Sequence, residues 1–125
     1  MAHFAELNSA NEVLRVVVVD NKDIVDGNGI EQESLGQTHL QNILGGTWKQ
    51  TSYNASFRGN YAGQGYTYFV DQDLFMNPKP HNSWIMSTAD ATWVAPSAMP
   101  TDGNVYDWDE DNQTWINLSG ASAGG

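Results

Sequence analysis

The chain has no cysteine, which removes disulfides, thiolate nucleophiles, zinc fingers and iron–sulfur clusters together. It is also short of cations. Five Lys and Arg stand against fifteen Asp and Glu, a formal net charge of −10. Such a surface repels a phosphate backbone, so no nucleic-acid partner is expected. Long apolar runs are missing as well. The longest β-branched run, Val16 to Val19, is far too short to span a bilayer, and Met1-Ala2-His3-Phe4-Ala5-Glu6-Leu7 lacks the cationic start and apolar stretch of a secretory signal. The expectation is a soluble product made in a cytoplasm, with no membrane partner. Charge of both signs is sparse: 16% charged residues beside 40% hydrophobic and 11% aromatic ones is the make-up of an ordered domain, not of an acidic disordered tail.

What the chain does have is one sentence written three times. Tyr66 to Phe75, Trp84 to Trp93 and Tyr106 to Ile116 each run from an aromatic-bearing strand through a short Asp- or Asn-containing turn to a second aromatic. Each reads as a β-hairpin stapled by rings across its strands. Pro78-Lys79-Pro80 and the stretch from Pro96 to Gly103 separate the copies, since proline breaks a ladder.

The first half reads differently. His3 to Leu7, the turn cluster Asn8-Ser9-Ala10-Asn11 and the valine-rich Glu12 to Asp20 make an opening hairpin. The unbroken Val16 to Val19 run has no alternation, which predicts a strand covered on both faces and central in its sheet. Glu31 to Leu44, with Ile30 just before it, carries Leu35, His39, Leu40, Ile43 and Leu44 at mostly three-and-four spacing, which predicts one amphipathic helix. Ser34 is its expected N-cap and Gly45-Gly46 its stop, while Gly36 weakens its first turn. Trp48 to Tyr53 is a further strand, and 54–65 a structured loop holding Phe57 and Tyr61. The fold class is therefore mainly β with one α-helix: antiparallel hairpins behind an N-terminal hairpin–helix–strand unit. Residues 1–118 are expected as a single domain and 119–125 as a flexible tail.

Candidate chemistry is thin. Asp107, Asp109 and Asp111 fall at ligand positions one, three and five of a calcium loop, but the required glycine is Asn112 and the bidentate glutamate is Leu118. They read as a solvated hairpin turn, with a weak cation site as the alternative. His3, His39 and His81 are scattered, without metal-ligand spacing. Carboxylate pairs for glycoside hydrolysis would come from Asp71, Asp73, Asp90 or the 107–111 run, all in turns where water keeps acidities ordinary. No cofactor is implied. The rings are the real ambiguity: Trp84, Trp93 and Trp108 suit a core, whereas exposed Tyr or Trp make a platform for a sugar or a protein. The candidate partner-binding residues are Tyr53, Phe57, Arg58 and Tyr61, with Trp108 from the third hairpin.

Several runs carry a resemblance. Trp48-Lys49-Gln50-Thr51-Ser52-Tyr53-Asn54, Arg58-Gly59-Asn60-Tyr61-Ala62-Gly63 leading into Gly65-Tyr66-Thr67-Tyr68, and Pro78-Lys79-Pro80 before Ser83-Trp84 are three of them. Met99-Pro100-Thr101-Asp102-Gly103 followed by Tyr106, Trp108-Asp109-Glu110 and Trp115 is a fourth. Together they resemble a family of small proteins of marine tailed phages, cyanophages above all, and the likeness covers nearly the whole chain. Gln64 stands where that family commonly carries an aliphatic residue. The resemblance implies a virion part made in the host cytoplasm: a capsid decoration or cement protein, or a small neck, baseplate or fibre piece. It would be non-enzymatic, docking onto other virion proteins and onto copies of itself. Two other readings stay open, a glycan-binding module on the virion and a host-directed accessory protein.

Overall fold

The computed structural model describes residues 1–121 and is mainly β, with antiparallel hairpins and one long helix. Its contacts group into two compact units, Met1–Pro78 with Thr88–Ala91, and Lys79–Ser87 with the chain from Thr92 onward. No helix among the described residues is long and apolar enough to cross a membrane.

In the first unit, β1 (Ala2–Leu7) and β2 (Val13–Val19) form the expected opening hairpin, closed by Asn8, whose side-chain oxygen accepts from the Ala10 and Glu12 N–H groups. β3 (Thr47–Thr51) pairs with the other side of β1, so the sheet order is β2-β1-β3. The central strand is thus β1, not the valine run. Alternation along β1 sends Phe4 to one face and Ala5 to the other, and both are fully buried. The valine run is covered on both faces only in part: Val17 packs with Ala2, Phe4, Val19, Ile24, Leu40 and Trp48, whereas Val16 packs with Ala5, Leu7, Val13, Ala62, Tyr68 and Phe75. Two-sided packing explains the missing alternation. It does not require a central position, and β2 lies at the edge.

Helix α1 (Glu33–Leu44) covers the Phe4 face. It begins two residues later than the spacing suggests. Gln32 stands at its N-cap without a side-chain capping bond, Ser34 lies inside the first turn, and Gly45 ends it with its N–H on the Gln41 carbonyl. Gly36 has a packing purpose. A Cβ there would strike the Phe4 ring and come within 3.0 Å of Ile24 Cγ2, so only glycine lets the helix lie this close to the sheet. The Ala5 face is covered by β4 (Thr67–Phe69), β5 (Leu74–Met76) and the loop before them. That loop follows β5 in parallel: Arg58 O accepts from Phe75 N at 2.9 Å, and Asn60 Nδ2 donates to Phe75 O at 2.9 Å and to Ala91 O at 3.0 Å.

The second unit holds β6 (Ile85–Ser87) with β7 (Thr92–Val94), and β8 (Tyr106–Asp109) with β9 (Thr114–Asn117), followed by the single helical turn α2 (Leu118–Ala121). All three repeated hairpins share one register, with Tyr68, Met86 and Trp108 opposite Phe75, Trp93 and Trp115. They share one turn device too. The residue entering the second strand, Asp73, Ala91 or Gln113, has φ between 51° and 55°. Of the expected tail, 119–121 fall within α2 and 122–125 lie outside the described residues.

Candidate functional site

On the Ala5 face, His3 sits on β1 between its partners Val18 and Thr51, and its ring meets two tyrosines. It stacks on Tyr53 at 5.5 Å between centroids and meets the edge of Tyr61 at 5.6 Å, while the two tyrosines lie 5.3 Å apart. Tyr53 is 67% exposed, so this ring group is a surface feature and not a piece of core. Beside it opens a hollow of about 220 Å³, lined by His3, Glu31, Gln50, Tyr53, Asn54 and Phe57. Phe57, 43% exposed, also borders a second hollow of about 350 Å³ with Asn60, Leu74 and Asp90. Rings beside amides and a carboxylate form a surface able to take a flat apolar face together with hydrogen-bonding groups. The fold supplies the rigidity: Ser52 Oγ accepts from Ser56 N at 3.0 Å, and Thr51 Oγ1 accepts from Ala62 N at 3.0 Å, which pins the loop at both ends.

Of the five partner-binding candidates, Tyr53, Phe57 and Tyr61 come together here. Arg58 does not face outward. Its Nη1 and Nη2 reach Glu33 at 2.6 and 2.9 Å, Nη1 also reaches Gln50 O at 3.0 Å, and Nε reaches Asp73 at 2.8 Å. With its side chain 16% exposed, it is a fastener joining helix, sheet and hairpin. Burial works to raise the pKa of Glu33, but the bonds from Arg58 and from the Gln50 N–H outweigh it and hold its carboxyl below the usual range. For Arg58 burial works the other way and is likewise outweighed, by Glu33 and Asp73, which hold the guanidinium charged. Tyr68 donates its hydroxyl to Asp73; burial first and this bond second push the phenol up to about 12, and the same bond holds Asp73 low. Asp73 is therefore not the ordinary turn carboxylate its position suggests.

Trp108 lies in the second unit at 6% exposure, in a ring cluster with Trp84 and Trp115 at centroid distances of 6.1 and 5.0 Å. Its Nε1 donates to Glu110, which also accepts from Ser83 N and Ser83 Oγ; the bonds from Ser83 and then from Trp108 hold the Glu110 pKa below the usual carboxylate range. It is core, with little surface to offer. Trp93 carries Lys79 over its ring instead. Asp107 accepts from the Trp108 N–H and Asp109 from Asn112 Nδ2, and among the described residues no three His, Asp or Glu gather as a metal-binding set. His39 stands 3.9 Å from Asp23, and His81 tilts against Trp84.

His3 is the site residue that motif reasoning missed. The signal was its place in an alternating strand, where it shares a face with Ala5 and Leu7. Comparison of the chain with family models, with curated proteins and with solved structures returns no match.

Proposed function

We propose that this chain is a non-enzymatic structural component of a tailed-phage virion, and that it works by docking on neighbouring subunits. The resemblance to marine phage proteins supplies the context. The observation that carries the docking part is the solvent-facing group of His3, Tyr53 and Tyr61, continued by Phe57, on a loop pinned to a rigid sheet. Exposed rings held in place favour association because little side-chain freedom remains to be lost when a partner covers them.

The acids support the same reading. Asp26, Glu33, Asp73, Asp102 and Glu110 each have a pKa lowered by bonds that hold the fold together. A general acid needs the opposite shift. In particles of the phage that encodes the chain, replacing Tyr53 and Phe57 by serine is expected to remove the protein from the particle while the isolated chain keeps its β-type circular dichroism. Normal incorporation of that variant would overturn the assignment of this surface.

A second reading, glycan binding on the virion, is favoured by the ring group standing beside Glu31, Gln50 and Asn54. It predicts glycan-array binding that Tyr53→Ala abolishes; Trp108 is the wrong residue for that test because it is buried.

A further inference from the structure

We propose that Asn28 is a self-modification site: attack by the Gly29 backbone nitrogen expels its side-chain amide, and the residue passes through a cyclic imide to isoaspartate and aspartate. This goes beyond the virion reading and holds whether or not that reading is right.

The reaction needs a small residue after the asparagine, because a side chain there shields the attacking nitrogen and stiffens the backbone that must bend toward the amide. Asn28-Gly29 is the only Asn-Gly step in the chain. It lies in the loop between β2 and α1, where Gly27, Asn28 and Gly29 are exposed and a Cβ built on either glycine meets nothing within 4 Å. Gly29 stands at φ +77°, so the turn itself asks for glycine at the position that makes its neighbour reactive. Among the described residues nothing bonds the Asn28 side-chain amide, whereas the backbone around it is held: Asn28 N and Ile30 N both donate to Asp26 Oδ1, at 2.8 and 3.0 Å. The attacking nitrogen is tied only within the loop. Gly29 N donates to Asp26 O at 3.0 Å, an exposed turn bond that local opening breaks without disturbing the sheet.

The competing steps are closed. Asn8-Ser9 and Asn82-Ser83 have the next smallest followers of asparagine apart from alanine after Asn54. Asn8 Oδ1 accepts from Ala10 N and Glu12 N while its Nδ2 donates to Glu12, which fixes the side chain. Ser83 N is held by the Glu110 carboxylate at 2.9 Å, a stronger acceptor than a carbonyl. Asp26-Gly27 and Asp102-Gly103 have the right follower, but an ionised carboxylate resists a nucleophile, and Asp102 already accepts from Asn104 N and the Tyr106 hydroxyl.

The balance is simple. Base takes the Gly29 amide proton, the nitrogen bonds to Asn28 Cγ, and the Cγ–Nδ2 bond breaks as ammonia leaves with a proton from solvent. Water then opens the imide. Addition at Cγ leaves aspartate, and addition at the main-chain carbonyl leaves isoaspartate, whose main chain runs through Cβ and Cγ and is one carbon longer. Either product carries one more negative charge. The longer chain cannot keep both donors on Asp26 Oδ1, nor the loop closure in which Val25 bridges Glu31 and Asp26 N donates to Ile30 O at 2.9 Å. Glu31 lines the hollow beside Tyr53, so the change reaches one wall of the ring surface.

The test incubates the folded full chain at mildly acidic and mildly alkaline pH, with peptide mapping and isoaspartyl-methyltransferase labelling at intervals. Asn28 is expected to convert before every other asparagine, faster at alkaline pH, with isoaspartate as the main product and an acidic step in isoelectric focusing. Amide exchange at Ile30 and Glu31 should quicken in the aged chain while β1 to β3 stay protected. Asn28→Gln, whose longer side chain closes a ring poorly, should lose the acidic step and keep its circular dichroism; the wild-type map decides the site even if that variant misfolds. An Asn28 that keeps its amide in the folded chain, another asparagine converting first, or conversion only in denaturant would each overturn the proposal.

Discussion

At the residue scale, two contacts explain much of the first unit. Gly36 lets α1 touch Phe4, and Arg58 ties that helix to the sheet and to the first aromatic hairpin. Gly36→Ala should be a net loss of about 1–2 kcal/mol, because overpacking the Phe4 ring costs more than the roughly 1 kcal/mol that alanine returns in helix propensity. Urea denaturation of the variant checks this, and a more stable variant would refute the close approach. Acid and alkaline limits follow from the same cluster. Glu33 and Asp73 have folded values below their ordinary 4.5 and 3.8, so their contribution is complete above those values and is lost as pH falls through the lowered ones. Tyr68 is raised from 10.0 to about 12, so its contribution is complete below pH 10 and disappears as pH rises through about 12. Urea midpoints measured across pH should show both slopes. Glu33→Gln should flatten the acid one, and Tyr68→Phe the alkaline one. Arg58 shows the limit of reading such residues from sequence: an arginine in a loop of tyrosines and asparagines has the appearance of a contact residue, and only tertiary placement beside Glu33, which is 25 positions away, makes it internal.

At the element scale, the three hairpins were legible because local chemistry alone builds them: paired rings opposite one another and a turn whose last residue is left-handed. That turn yields a contrast. Gln113→Gly should stabilise by about 0.5 kcal/mol, the left-handed strain relieved less the entropy glycine loses. Asp73→Gly at the equivalent position should instead destabilise by about 1–2 kcal/mol, since Tyr68 and Arg58 lose their acceptor. Thermal melts of the pair decide it, and equal effects would refute the special role of Asp73. In the third hairpin, Trp108→Ala should cost about 3–4 kcal/mol and collapse the near-ultraviolet tryptophan signal, because its ring fills the space between Trp84 and Trp115. Strand order was the illegible part. An unbroken valine run and a central strand produce the same pattern when both faces are covered. What separates them is whether another strand lies beyond, a long-range fact that β1, with its modest Ala-His-Phe-Ala, hides.

At the scale of the whole molecule, the charge of −10 sets how copies meet. Like-charged copies repel at long range, so any association between copies should strengthen as added salt screens them. The candidate surface was half legible. Tyr53, Phe57 and Tyr61 stand out as rings in a polar loop, whereas His3 joins them only because β1 runs beneath that loop. Assembly remains the claim on which the account turns. Its most direct test is quantitative mass spectrometry of purified particles of the phage proposed to encode the chain, with copies counted against a known capsid protein. The account predicts a fixed integral number of copies per particle, matching a ring or lattice symmetry; absence from the particles, with the chain abundant in infected cells, would contradict it.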